Sequence, residues 1–203
     1  AANELRDARL RITVTSGVAP PGSSRRGSTG PTVVMVAVPI EPPAATADVV
    51  IAPWTRNEHG ALAGLKTISY AANARALTYA ESRGAAEAIF ANTQGNLCEA
   101  TGSNVFCVLD GTVATPPASA GCLLGVTRGL VLELCASLDI PAAERDVPVG
   151  ALLDASEAFL SSTTREVQPI AHVDGVALEA VPGPISAKLA QAFGELVARD
   201  LDP

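Results

Sequence analysis

Residues 64–77 read GLKTISYAANARAL, and one lysine stands among small and apolar side chains. From Thr67 to Leu77 the only other charge is Arg75, so Lys66 is either a solvated residue or a reagent. The stretch predicts a helix from about Thr67 to Arg83, closed by Gly84. On a helix starting near Lys66, the spacing i, i+3, i+4, i+7 aligns Lys66, Ser69, Tyr70 and Asn73 on one face. That face is a solvated polar surface or the wall of a pocket, where a desolvated amine loses basicity and can form a Schiff base. The order K-x-x-S reverses the S-x-x-K of Ser-Lys hydrolases.

Outward from this stretch, the chain reads as an α+β protein. Arg9–Thr15 (RLRITVT) and Thr32–Ile40 (TVVMVAVPI) are β-rich and predict a pair of strands. The Gly/Ser/Pro-rich GVAPPGSSRRGSTGP between them predicts a long mobile loop, and EPPAATA at 41–47 a linker. From Asp48 short strands alternate with helices: VVIAPW, the helix after Lys66, EAIFANT, VFCVLD and TVATP. A helix over about Thr127–Leu138, strands at 157–161 and at VQPIAHV, and a last helix over about Ile185–Ala198 follow.

Composition narrows the partners. The 203 residues are 48% hydrophobic, enough for a sizeable core, and 17% charged with a formal net charge of −7. A net negative chain with few basic residues argues against nucleic acid or an anionic membrane and for a small-molecule ligand. No apolar run approaches the roughly 20 residues that span a bilayer, and AANELRDARLR has no signal-like apolar core, so a cytoplasmic location is expected. Cys98, Cys107, Cys122 and Cys135 are too dispersed for a metal knuckle and are expected as buried reduced thiols. His59 and His172 are the only histidines, too few for a His-based metal site or a Ser-His-Asp triad, and no metal is expected.

Three further stretches carry chemistry. GCLLGVTRGL at 121–130 sets Val126 and Thr127 at the start of a helix, where free amides, the dipole and a hydroxyl can hold a phosphate. SSTTRE at 161–166 brings four successive hydroxyl residues after an apolar strand: an ordinary turn, or a cluster of anion donors. LCEATGSNVF at 97–106 puts Glu99 before a tight turn that returns into an apolar strand. Together these ask for a ligand with an anionic group, a carbonyl and a basic atom, and pyridoxal phosphate has all three.

In this order LKTxSYxxN, EATGSNVF, GVTR and SSTTREVQPI resemble the class IV aminotransferases, the fold-type-IV pyridoxal-phosphate enzymes, over about residues 60–200. That family includes branched-chain and D-amino-acid aminotransferases and 4-amino-4-deoxychorismate lyases. The resemblance implies that Lys66 forms the Schiff base and moves protons, that Tyr70 bonds the cofactor's phenolic oxygen, and that Glu99 pairs with its pyridinium nitrogen. It also implies that Val126, Thr127 and Thr163 hold the phosphate and that the Thr163-Thr164 turn takes a substrate carboxylate. Ser103 and Asn104 match as turn and pocket-wall residues. The implied reaction is amino transfer between an amino acid and a 2-keto acid, in a homodimer. The alternatives are the lyase of the same family, which gives 4-aminobenzoate and pyruvate for folate, and an inactive cofactor-binding fragment. Residues 1–40 are expected as the remnant of a small N-terminal α/β domain, 41–47 as the linker and 48–203 as the large cofactor-binding domain. The family's N-terminal phosphate-binding arginine has no counterpart here, so weakened cofactor retention is expected.

Overall fold

A computed structural model describes residues 5, 8–22 and 30–200. Two compact units are present, Ala1–Pro43 and Ala44–Pro203. In the first, β1 (Ala8–Thr15) and β2 (Thr32–Pro39) pair antiparallel from Ala8 opposite Pro39 to Thr15 opposite Thr32. Strict alternation and this register put Leu10, Ile12 and Val14 on the same face as Val33, Met35 and Ala37, and all but Ala37 are exposed. The centre of the expected loop, residues 23–29, lies outside the described residues.

The second unit is built on one mixed sheet. Its elements are β3 (Ala47–Ile51), α1 (Ala71–Glu81), β4 (Glu87–Ala91), β5 (Leu97–Ala100), β6 (Asn104–Leu109), β7 (Thr112–Thr115), α2 (Val126–Ser137), β8 (Ala142–Glu144), β9 (Glu157–Ser162), β10 (Glu166–Val173), β11 (Val176–Ala177) and α3 (Pro184–Arg199). The strand order is β5-β4-β3-β10-β9-β6-β7-β8, with β11 added to β10. β3 runs parallel to both β4 and β10, while the β10-β9-β6-β7 run is antiparallel.

The central strands are apolar without a break because both their faces are covered. Val49, Ile89, Val105 and Leu160 belong to one buried cluster with Leu97 and Ile170. Their neighbours point the other way: Val50, Ala88 and Phe90 pack with Ala76 and Ala80 of α1. Phe106 and Phe159, stacked at 4.8 Å between ring centres, pack with Val131 and Cys135 of α2 and Leu189 and Phe193 of α3. All four cysteines are buried and free, as expected.

The expected helix from Thr67 is corrected: α1 begins at Ala71, and Lys66 to Tyr70 is irregular. Gly64 takes a positive φ of 70°, and the Thr67 hydroxyl accepts the Ser69 amide at 3.1 Å, a local turn that competes with the helix. Lys66, Ser69, Tyr70 and Asn73 therefore do not share a helix face. Tyr70 is the N-cap residue, its carbonyl accepting the Ala74 amide at 2.9 Å, and only Asn73 lies within α1.

Candidate active site

A cavity of about 800 Å3 opens where the segment before α1, the β5-β6 turn, the N-terminus of α2 and the β9-β10 turn converge. Lys66, Tyr70, Glu99, Val126, Thr127, Thr163 and Thr164 all line it, although they are spread over about half of the chain. Lys66 and Thr163 are exposed, Tyr70 is 45% exposed and Thr127 is buried.

Each group is placed by its local structure. Glu99 sits on β5 with its side chain 14% exposed. Its Oε2 accepts the Leu123 amide at 2.8 Å, and its Oε1 lies 3.6 Å from Arg56 Nε. Desolvation pushes its pKa up, opposed by the Leu123 amide and by the charges of Arg56 and Lys66. At α2, Gly125 is the N-cap and no side chain caps the helix, so the first-turn amides of Val126 and Thr127 are open to an anion. A Cβ at Gly125 would meet Asn104 Oδ1 at 2.4 Å, so any larger residue there would have to displace the Asn104 side chain. Asn104 itself donates to the Leu123 carbonyl at 2.7 Å.

Two cavity residues, Arg56 and Ser161, had no role of their own in the sequence reading, and Asn73, set there on the Lys66 face, has partners that reading did not give. Arg56, beyond the end of β3, lies over the Phe90 ring at 4.4 Å and donates to Asn73 Oδ1 at 3.1 Å. Asn73 is buried and donates to the Thr101 carbonyl at 2.7 Å, which ties the first turn of α1 to the β5-β6 turn. Ser161 is 1% exposed, and its hydroxyl has no partner among the described residues. Nothing local marks Arg56, whose partners lie 17 and more residues away. Ser161 was visible only as the first hydroxyl of SSTT.

The sequence pattern of the family described as amino-transferase class IV matches residues 1–173. The chain belongs to the class IV aminotransferase family. A branched-chain-amino-acid aminotransferase of Pseudomonas aeruginosa is 38% identical over 124 residues, 61% of this chain and 40% of that protein. The holo form of the branched-chain amino acid aminotransferase of Thermobaculum terrenum, with pyridoxal phosphate, superposes with a TM-score of 0.83 at 28% identity, covering 98% of this chain and 68% of the other. A Legionella pneumophila protein assigned provisionally as a 4-amino-4-deoxychorismate lyase gives a TM-score of 0.89 at 22% identity over 96% of this chain and 72% of its own, a likeness of fold. The α+β fold is thus that of the fold-type-IV enzymes. The chain spans about half the length of the curated relatives it matches.

Proposed function

We propose that this chain carries the pyridoxal-phosphate site of an aminotransferase that moves an amino group between an amino acid and a 2-keto acid. The observation that carries the reading is the convergence of Lys66, Glu99, the uncapped α2 terminus and Thr163 on one cavity. The residues fit the cofactor. Among the described residues Glu99 Oε1 takes no hydrogen bond and has Arg56 Nε at 3.6 Å, the α2 amides lack a side-chain cap, and the buried Ser161 hydroxyl lacks a partner. A basic ring nitrogen, a phosphate and a further acceptor would satisfy these groups.

When bound, pyridoxal phosphate supplies an aldehyde for a Schiff base with a primary amine and a ring that takes up the electron pair left by proton removal. Lys66 Nζ would be that amine and the group that moves the substrate α-proton. Glu99 Oε1 would hold the ring nitrogen in its protonated form, and the Leu123 amide on Oε2 fixes the plane of the carboxylate. Tyr70 would donate to the phenolic oxygen. Val126, Thr127 and Thr163 would hold the phosphate by amides and hydroxyls, and the Thr163-Thr164 turn would take the substrate carboxylate.

Residues 1–40 belong, in this reading, to a small N-terminal α/β domain, 41–47 to a linker and 48–203 to the large domain. The support is the exposed apolar face of the β1-β2 hairpin, which a two-stranded ribbon does not keep in water on its own. The reading extends to a cytoplasmic homodimer. Among the described residues no helix is long and apolar enough to cross a membrane.

Addition of pyridoxal 5′-phosphate tests the site: a visible band that borohydride fixes onto Lys66, located by peptide mass, is expected. Absence of the adduct in excess cofactor overturns the reading. Formation of a keto acid only with an added amino acceptor marks the transaminase. 4-Aminobenzoate and pyruvate formed without an acceptor would mark the lyase instead.

A further inference from the structure

Glu87 opens β4 and is 3% exposed, yet it lines no part of the cavity. Its carboxylate accepts three hydrogen bonds from one turn: Thr101 Oγ1 at 3.0 Å, the Gly102 amide at 2.7 Å and Ser103 Oγ at 2.6 Å. A fourth donor arrives from a distant segment, Arg165 Nε at 2.7 Å. Thr101 to Ser103 and Ser162 to Thr164 are two parts of the cavity wall, so one buried carboxylate joins both. Arg165 is held at its far end too, by Gln168 Oε1, and Gln168 Nε2 donates to the Ala44 carbonyl at 2.6 Å.

Stability alone does not account for this arrangement. Desolvating two charges offsets most of their attraction, so a buried ion pair contributes little net stability. What it does supply is position. The turn that Glu87 grips leads into Asn104, which holds the Leu123 carbonyl, and the Leu123 amide holds Glu99. On the other side, Arg165 directly follows Thr163 and Thr164, its amide closing their turn onto the Ser162 carbonyl at 3.2 Å.

We propose that Glu87 and Arg165 are a positioning pair that sets the Glu99 side of the cavity against the Thr163-Thr164 side, so that a ring-nitrogen partner and anion donors stay in one frame. The proposal rests on the pyridoxal-phosphate reading for its consequence, and neither residue touches the ligand. Glu157 provides an internal control. It too is a buried carboxylate opening a strand in a Glu-Ala-apolar-apolar context. It accepts the Ile185 amide at 3.0 Å and both the amide and the hydroxyl of Ser186 at 2.7 Å. Those donors belong to the start of α3, away from the cavity, so Glu157 secures the fold without addressing the site.

The test compares the full chain with Glu87→Gln, Arg165→Gln, the double variant and Glu157→Gln. In the chain without cofactor, backbone amide shifts are read by NMR. Glu87→Gln should move Thr163 and Thr164 as well as residues 101–104, and Arg165→Gln should move Gly102 and Ser103. Glu157→Gln should lower the melting temperature and move neither turn. Titration with pyridoxal 5′-phosphate should give about tenfold weaker binding for each single variant at the pair, the usual scale for outer-shell partners, with the double no worse than the weaker single. Binding by Glu157→Gln should equal the unmodified chain.

Shifts confined to residues 101–104 in Glu87→Gln, or single effects that multiply in the double, overturn the pair. Should Glu87→Gln fail to fold, Arg165→Gln carries the same two readings. An unmodified chain that binds no cofactor would refute the functional reading, while the amide shifts still decide whether the two turns are coupled.

Discussion

The Leu123 amide donates to Glu99 Oε2 at 2.8 Å, so the segment that leads into α2 is fastened to the carboxylate on β5. One oxygen of Glu99 is thereby oriented, and the other faces the cavity with Arg56 Nε 3.6 Å away. Function and stability pull apart at this residue, because a half-buried anion suits a cationic ring nitrogen but costs free energy while the cavity is empty.

Glu99→Gln separates the two. Burial raises the Glu99 pKa, so the folded chain binds the proton more tightly than the unfolded one. Stability then falls as pH rises from the unfolded value of about 4.3 through the higher folded value. Gln keeps an acceptor for the Leu123 amide and cannot ionise. The cofactor-free variant should therefore melt above the unmodified chain at pH 7, with the gap closing below about pH 4. Turnover should drop by about a hundredfold, on the scale of losing one preorganised electrostatic group. Thermal scans over pH and steady-state rates check both, and a lower melting temperature at pH 7 counts against the assignment.

Lys66→Ala should remove the chemistry and keep the fold. Lys66 is exposed, lies outside any helix and makes no hydrogen bond or ion pair with the described residues, so the change in unfolding free energy should stay within about 0.5 kcal/mol. Urea unfolding measures that quantity. Borohydride treatment in the presence of cofactor should leave the peptide of residues 64–75 unlabelled, and turnover that survives the substitution would refute Lys66 as the reagent.

Much of this was legible along the chain. The expected helix Thr127–Leu138 is α2 at Val126–Ser137, and the last helix is α3 at Pro184–Arg199, because Gly125, Pro141 and Pro184 punctuate apolar spacing at 3.6 residues. EAIFA and NVFCVL were legible as buried strands because both faces are apolar. The Lys66 to Tyr70 segment was not, since helix-favouring alanines follow it closely while a Thr67 side-chain bond decides its path. β8 and β11, at three and two residues, are too short to leave a pattern. Glu87 and Arg56 were silent as well, and Asn73 was legible only as part of the Lys66 face: their partners are 14 to 78 residues distant, and no local spacing encodes a tertiary hydrogen bond.

Glu58 offers a pH signature that is separate from the candidate site's chemistry. Its side chain is fully covered, and it accepts the Thr93 amide at 2.9 Å and the Thr93 hydroxyl at 2.7 Å. The Thr93 amide, first among several donors, pulls its pKa down to about 2. A depressed carboxylate stabilises the fold above its unfolded pKa, near 4.3, and that contribution is lost as pH falls towards 2. Glu58→Gln should accordingly lower the urea midpoint at pH 6.5, with a markedly smaller difference at pH 2.5. A gap that widens on acidification would contradict the assignment.

Gly125→Ala probes the joint between Asn104 and the α2 terminus. Gly125 has φ −67° and ψ 145°, which any residue adopts, so backbone strain plays no part. Its Cβ would instead meet Asn104 Oδ1 at 2.4 Å, and Asn104 is 7% exposed with little room to retreat. Displacing Asn104 loosens its 2.7 Å bond to the Leu123 carbonyl, and with it the Leu123 amide that orients Glu99. The expected cost is about 1–3 kcal/mol in urea unfolding, the range for overpacking, together with weaker binding of pyridoxal 5′-phosphate. Asn104→Ala alone should cost about 1–3 kcal/mol for the carbonyl left unpaired. Combined with Gly125→Ala it removes the obstructing oxygen, so the double variant should be no less stable than Asn104→Ala alone. If the two costs add in full, the clash with Asn104 is not what makes glycine necessary at position 125.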